Sequence, residues 1–363
     1  MSIQLSIGDH TGARHQGIAI LAPAERLRDR FLLAGALWKN AMVHRLTGDW
    51  QAARDFGDRG LAVRPNPPLN ADLAMLECEV GELDKGQVYL EQVLERMRLS
   101  PPDQQPLDHA YPAMLIPLVA NITGVDDLLG VAEEAAQNAL ASPSVNPNVT
   151  TRARAGLALL AVQRGDVAAA GEQYAALQSA RGIMLWWSIS GDRLLGILSQ
   201  TMGNMDQATA HFEDALAFCR KAGYRPELAW SCCDYADLLM VAARHAVPLR
   251  SDPAKAIALL EESLSIATDL GMRPLMERVT ERLERIQAQP STAPAYPGGL
   301  TEREVEVLRL VAAGKTNLEI AEDLVIAEGT ARRHVANIYK KIGAANRVEA
   351  ASYASQHNLL EPD

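Results

Sequence analysis

Thirteen residues, Gln287–Gly299 (QAQPSTAPAYPGG), constrain this chain more than any other stretch. Three prolines and two terminal glycines, set among small residues, neither continue a helix nor build a core. They divide the chain into two bodies, 1–286 and 300–363, with 287–299 as a flexible linker that reaches on the order of 20 Å as a coil. A length of 363 residues leaves room for two or three domains. Apolar residues make up 48% of the chain, enough to fill real cores. Only seventeen residues are aromatic, and alanine is abundant, which argues for helices over a sandwich or barrel. The expectation is an all-α fold.

Several function classes are excluded on the same page. Four cysteines are too few for a disulfide scaffold, so a reducing compartment is expected. The N-terminus lacks the basic segment and apolar core of a signal peptide. The longest apolar stretches, such as Met114–Ala120, are short and interrupted by Pro112 and Pro117, far from the roughly 20 residues that span a bilayer. These features predict a soluble cytoplasmic protein with no membrane partner. Gly314-Lys315-Thr316 is not a phosphate loop, because position 309 is Arg and the preceding segment reads as a helix. With no other candidate loop, no ATPase module is expected in this chain. Cys232-Cys233 on a helix would point to different faces and suits core packing better than a disulfide. His211 reads as a surface or satisfied histidine. No metalloprotease, Cys-x-x-Cys or serine-hydrolase motif is present, so the expectation is no enzyme, no cofactor and no metal.

Before the linker a loose repeat recurs. Gly48-Asp49, Gly81-Glu82, Gly165-Asp166, Gly203-Asn204 and Ser251-Asp252 each stand between two apolar helical patterns, with the glycine ending the first helix. The 84-residue gap from Gly81 to Gly165 would hold two units, with Val125-Asp126-Asp127 as a degenerate opener. The clearest unit is Asp192–Met202 followed by Gln207–Lys221, closed by Gly223 and Pro226. In its second helix Ala208, Phe212, Ala215, Leu216 and Cys219 form an apolar stripe. Units near 34 residues with small packing residues resemble tetratricopeptide repeats. The run LLGILSQTMGNMDQATAHFEDALAFCRKAG, AWSCCDYADLLM and AIALLEESLSIATDLGM is similar to the repeat region of large MalT-like LuxR-type regulators, well over Leu194–Val279 and loosely over 25–190. Those larger relatives carry an ATPase module that this chain is expected to lack. Trp186, Trp187 and Trp230 stand out among few aromatics. Such side chains either line a ligand groove or plug gaps between helices, and the plug is the commoner role.

The tail carries the sharpest signal. From Leu300 onward eight basic residues face ten acidic ones, a net −2 that leaves −8 on residues 1–299. Yet Gly329–Val348 holds five basic residues and no acidic one. Either this is a solvated basic face or an electrostatic footprint for nucleic acid. Thr301-x-x-Glu304 and Thr316-x-x-Glu319 are capping boxes that open two helices, the first with Val305, Leu308, Val311 and Ala312 inward, the second with Ile320, Ala321 and Leu324. After a tight turn at Val325–Ala327, a third helix from about Glu328 to Ile342 places Ala331, Val335, Ile338 and Ile342 inward. A fourth runs from near Asn346 through His357. Short helix, tight turn and longer basic helix is helix-turn-helix geometry, with the third helix suited to a major groove.

The segment LTEREVEVLRLVAAGKTNLEIAEDLVIAEGTARRHVANIYKKIGAANRVEAA resembles the LuxR-type DNA-binding domain over its full extent. The resemblance implies that Thr330, Arg332, Arg333 and Asn337 face DNA, and that Lys315, Thr316, Asn317, Lys341 and Arg347 lie near phosphates. It departs from the family at Ala327, where a Ser N-cap is usual, at Ala331 in place of Val, and at Arg333, often apolar. A missing cap costs about 1 kcal/mol. The expected whole is a tetratricopeptide-like sensor array, 1–286, joined by linker 287–299 to a four-helix LuxR-type domain, 300–363. It would act as a transcriptional regulator binding double-stranded promoter DNA, as a homodimer at least on DNA, with RNA polymerase and a protein or small-molecule effector as possible partners. The alternative is a repeat scaffold for proteins, with the tail a weak DNA tether.

Overall fold

The computed structural model of this chain describes residues 2–186, 188–244, 252–288, 296–324, 326 and 328–360. Nineteen α-helices and one two-stranded ribbon are formed among these residues. They fall into two compact units, Met1–Thr280 and Glu281–Asp363.

The first unit begins with α1 (Ser2–Ser6) and α2 (His10–Leu27) and continues as six antiparallel hairpins. These are α3 (Arg30–Thr47) with α4 (Trp50–Val63), α5 (Pro67–Val80) with α6 (Leu83–Leu99), and α7 (Pro106–Thr123) with α8 (Leu129–Ala141). Then come α9 (Pro147–Arg164) with α10 (Val167–Ala176), α11 (Gly191–Thr201) with α12 (Met205–Ala222), and α13 (Arg225–Arg244) with α14 (Pro253–Leu270). The ribbon β1 (Met184–Leu185) and β2 (Ile189–Ser190) pairs Met184 with Ser190 between α10 and α11. A last helix, α15 (Arg273–Ala288), crosses the boundary between the units.

The recurrent openers are the turns inside the hairpins. Gly48 ends α3 at φ 85°, a backbone that disfavours any side chain, and Asp49 accepts from Ala52 N to start α4. Gly165 and Asp166 do the same between α9 and α10. Ser251 lies outside the described residues, but Asp252 caps α14 through Lys255 N. The long gap holds the α7–α8 turn, closed by Gly124 at φ 75°. Pro226 opens α13 rather than merely ending the preceding unit.

The first helices of the hairpins pack on one another in sequence, α3, α5, α7, α9, α11 and α13, and α13 returns to α3. The array is thereby a closed ring. Trp50 Nε1 donates to Leu270 O at 2.6 Å, and Arg273 Nη2 donates to Gly81 O at 2.9 Å, fastening the end of α14 and the start of α15 to the first two hairpins. Helices α5 and α7 are buried on nearly every side, whereas α4, α6 and α12 bury one stripe.

Helix α7 runs unbroken through Pro112 and Pro117. Each proline withholds one amide, so the Ala113 carbonyl loses its partner at Pro117. Gly156 on α9 closes on that carbonyl: a β-carbon there would lie 2.1 Å from Ala113 O. Gln163 Nε2 donates to Pro117 O at 2.8 Å. Neighbouring helices thus hold a segment that local propensity would break.

None of the four cysteines forms a disulfide and all are buried, Cys232 and Cys233 in the core. His211 is buried and satisfied, between Asp192 Oδ1 at 3.2 Å and Tyr174 Oη at 3.0 Å. Trp230 is buried with the Arg193 and Arg278 guanidinium groups against its ring. Trp187 lies outside the described residues. No helix among the described residues is long and apolar enough to cross a membrane.

In the second unit α16 (Glu302–Ala312), α17 (Asn317–Asp323), α18 (Glu328–Ile342) and α19 (Arg347–Gln356) enclose one core. Of the segment read as a linker, Gln287 and Ala288 end α15, 289–295 lie outside the described residues, and Pro297–Gly299 form a 3₁₀ turn. Tyr296 packs on the core beside Leu300.

Candidate nucleic-acid interface

Both capping boxes close as their spacing requires. The Thr301 hydroxyl accepts from Glu304 N at 3.3 Å, and Glu304 Oε2 accepts from Thr301 N at 2.8 Å. Thr316 and Glu319 repeat the pattern at 3.3 and 2.7 Å, and these bonds hold the Glu319 carboxyl below its ordinary value. These ends fix where α16 and α17 start. Ile326 N reaches Ala321 O at 2.9 Å in the turn before α18. Val325 and Ala327 lie outside the described residues, and with them the cap expected to be missing at Ala327.

Helix α18 is held by one face and shows the other. Ala331, Val335 and Ile338 are buried against Val305, Leu308, Val311 and Ile320. Gly329, Arg332, Ala336 and Lys340 form the exposed stripe, flanked by half-buried Thr330, Arg333 and Asn337. Fifteen residues at about 1.5 Å each make a rod of roughly 22 Å, and small residues along the stripe let a partner come close to its backbone.

The nine residues named from the sequence fall into three places. Thr330, Arg332, Arg333 and Asn337 share the first three turns of α18. Arg332 is 71% exposed in its side chain and makes a weak pair with Glu328 at 3.2 Å. Arg333 lies deeper, with Nε enclosed and unbonded. Lys315, Thr316 and Asn317 gather at the N-terminal end of α17, where Arg347 joins them by donating from Nη1 to the Lys315 carbonyl. Lys315 Nζ pairs with Asp323. Asn317 Oδ1 is buried without a partner.

Lys341 stands apart from both groups. Its ammonium turns back to the Glu304 carboxylate at 2.8 Å and approaches Gly299 O at 3.4 Å. Glu304 is 8% exposed, so one carboxylate both caps α16 and pins the far end of α18. Sequence reading saw Glu304 as a cap alone. Arg309 was also passed over: its Nε donates to Leu359 O at 2.7 Å and ties the chain after α19 to α16. Neither pairing leaves a local signal, because each joins residues dozens of positions apart.

Residues 299–354 match the family described as bacterial regulatory proteins, luxR family. The transcriptional regulatory protein LiaR of Bacillus subtilis strain 168 is 46% identical over 61 residues, 17% of this chain and 29% of LiaR. The response regulator protein VraR of Staphylococcus aureus strain NCTC 8325 is 47% identical over 62 residues, 17% of this chain and 30% of VraR. The chain therefore spans less than a third of the length of these relatives, and the likeness lies in the C-terminal domain.

Proposed function

Because its C-terminal domain is a LuxR-family helix-turn-helix domain, we propose that this chain is a transcriptional regulator whose tetratricopeptide-like array controls promoter binding. The observation that carries the reading is the exposed stripe of α18, with Arg332 projecting from a helix clamped on its opposite face. Arg332, and more deeply Arg333, read guanine O6 and N7 in the major groove, with Thr330 and Asn337 beside them. The N-terminal end of α17, with Lys315, Thr316 and Asn317, meets phosphate by its positive dipole end, and Arg347 buttresses it. Lys341 exchanges Glu304 for phosphate or stays as the strut that orients α18. On paired half-sites the domain acts as a dimer and brings RNA polymerase to the promoter. Two relatives named as a transcriptional regulatory protein and a response regulator support this direction.

Mapping the DNA bound by the full chain across a genome, then titrating the recovered site against a scrambled one, tests the reading. A preference lost on removing 300–363 is expected. Equal affinity for both DNAs would leave a protein-binding scaffold with a DNA tether.

A further inference from the structure

Helices α6 and α8 both pack on α7, and where α6 ends they leave a cavity of about 480 Å³. That lies within the roughly 300–1,000 Å³ of small-molecule sites. One wall is Met97 and Pro102, from the end of α6 and the turn after it, and the other is Val131 and Ala135 of α8. The first wall is fixed by bonds to the start of α7. Asp108 accepts from Arg96 Nε at 2.8 Å and from Ser100 Oγ at 2.6 Å, and Arg96 Nη2 donates to Gln105 Oε1 at 2.8 Å. The shape of the cavity is therefore set before any ligand arrives.

Three polar side chains that line it have bonding capacity left over. His109, 6% exposed, brings Nε2 to 2.8 Å from Ser100 O. A carbonyl only accepts, so Nε2 carries the proton, and in the neutral ring Nδ1 is a buried acceptor that no donor meets. Glu134 is exposed and Asn138 half-buried, and neither side chain has an ion pair or hydrogen bond among the described residues. Arg98 at the rim pairs instead with Glu95, at 3.6 Å and one turn back on its own helix. The unmet demand is for a donor, and the unbalanced charge is the negative one of Glu134. An anion would face that carboxylate. A quaternary ammonium has no N–H to give, and among the described residues no aromatic ring besides His109 lines the cavity to cage it.

We propose that this cavity binds a small organic amine. Its ammonium donates to Glu134 and to Nδ1 of His109, and its apolar body lies against Met97, Pro102 and Val131. One bound group then joins α6, α7 and α8. Its role as the effector site rests on the regulator reading above; the binding does not.

The test uses the full chain, with hexylamine and tryptamine as probes at matched ionic strength. Hexanol, hexyltrimethylammonium and hexanoate put a neutral, a donor-free and an anionic head on the tail of hexylamine. Calorimetric titration and thermal melting should show saturable amine binding that raises the melting temperature, with the three other heads much weaker. Glu134→Gln, at an exposed position, should leave the unliganded melt unchanged and weaken the amines by roughly tenfold or more, the loss of one charge-assisted hydrogen bond. The nitrogen NMR resonance of His109 Nδ1 should move as amine is added, because its lone pair gains a donor. Failure of both amines on the parent chain, an equal response to any of the three other heads, full amine affinity in Glu134→Gln, or an Nδ1 resonance that stays in place would each overturn the site. Operator titrations on the same samples separate the two ideas. Amine binding that leaves DNA affinity unchanged keeps the site and removes its effector role, and absent DNA preference sinks the regulator reading alone.

Discussion

Arg332 and Lys341 are both cations on α18, and the structure gives them different work. The outward direction of Arg332 was legible, because helical residues turn about 100° each and Ala331, Val335 and Ile338 had to face inward. The pairing of Lys341 with Glu304 was not, since it depends on how α16 and α18 cross. Arg332→Ala should remove about 1–3 kcal/mol of discrimination between operator and mutated operator, while barely changing the melting of the domain. Titrations of both DNAs at several salt concentrations read this directly, and an unchanged preference would place the groove contact elsewhere. Lys341→Met strands a mostly buried carboxylate, so it should lower the melting temperature of the C-terminal domain and weaken both DNAs alike. A selective loss on one DNA would show Lys341 reading bases. In the array, burial pushes the Glu79 carboxyl up to about 7, against the opposing pull of Arg45. The folded chain then holds a proton that the unfolded chain releases near 4.5, so this group's stabilisation is full below that value and fades as pH rises toward 7. Glu79→Gln should flatten the fall in stability between pH 4.5 and 7, measured by denaturant melts. Equal slopes in both proteins would remove Glu79 as the cause.

At the scale of elements, turns were written locally and helix continuity was not. A glycine that accepts positive φ, followed by a side chain that caps the next helix, is a complete instruction within four residues, and Gly48-Asp49 and Gly165-Asp166 carry it. The two capping boxes of the tail are the same kind of instruction. Helix α7 is the opposite case. Its prolines argue for a break, and the segment is helical because α9 closes on the Ala113 carbonyl that Pro117 frees and Gln163 holds the Pro117 carbonyl. Gly156 makes this closure possible, since any side chain would drive α9 off the α7 backbone. Gly156→Ala should destabilise the array by about 1–3 kcal/mol, and by more if the two helices separate. Chemical denaturation reads the change, and a midpoint equal to the parent's would show that α9 shifts at no cost.

For the whole molecule, the two units imply two folding events. A fragment ending at Ala288 should melt cooperatively on its own, because the ring closes within residues 1–280 through Trp50, Leu270, Arg273 and Gly81. A broad, non-cooperative transition by circular dichroism would mean that the array needs the C-terminal domain. The sequence by itself determined that the chain is helical, where most hairpin turns fall, and that the tail is a helix-turn-helix bearing Arg332 on its outer face. Each of these rests on spacing within a few residues: a period of 3.6, a glycine before a cap, a Thr three positions before a Glu. Only the tertiary structure decided that the array closes on itself, that Lys341 serves Glu304, and that Arg152 is buried between the Tyr111 and Trp186 rings. Those facts join residues tens to hundreds of positions apart, and a buried charge is recognised only once every neighbour that might neutralise it is in place.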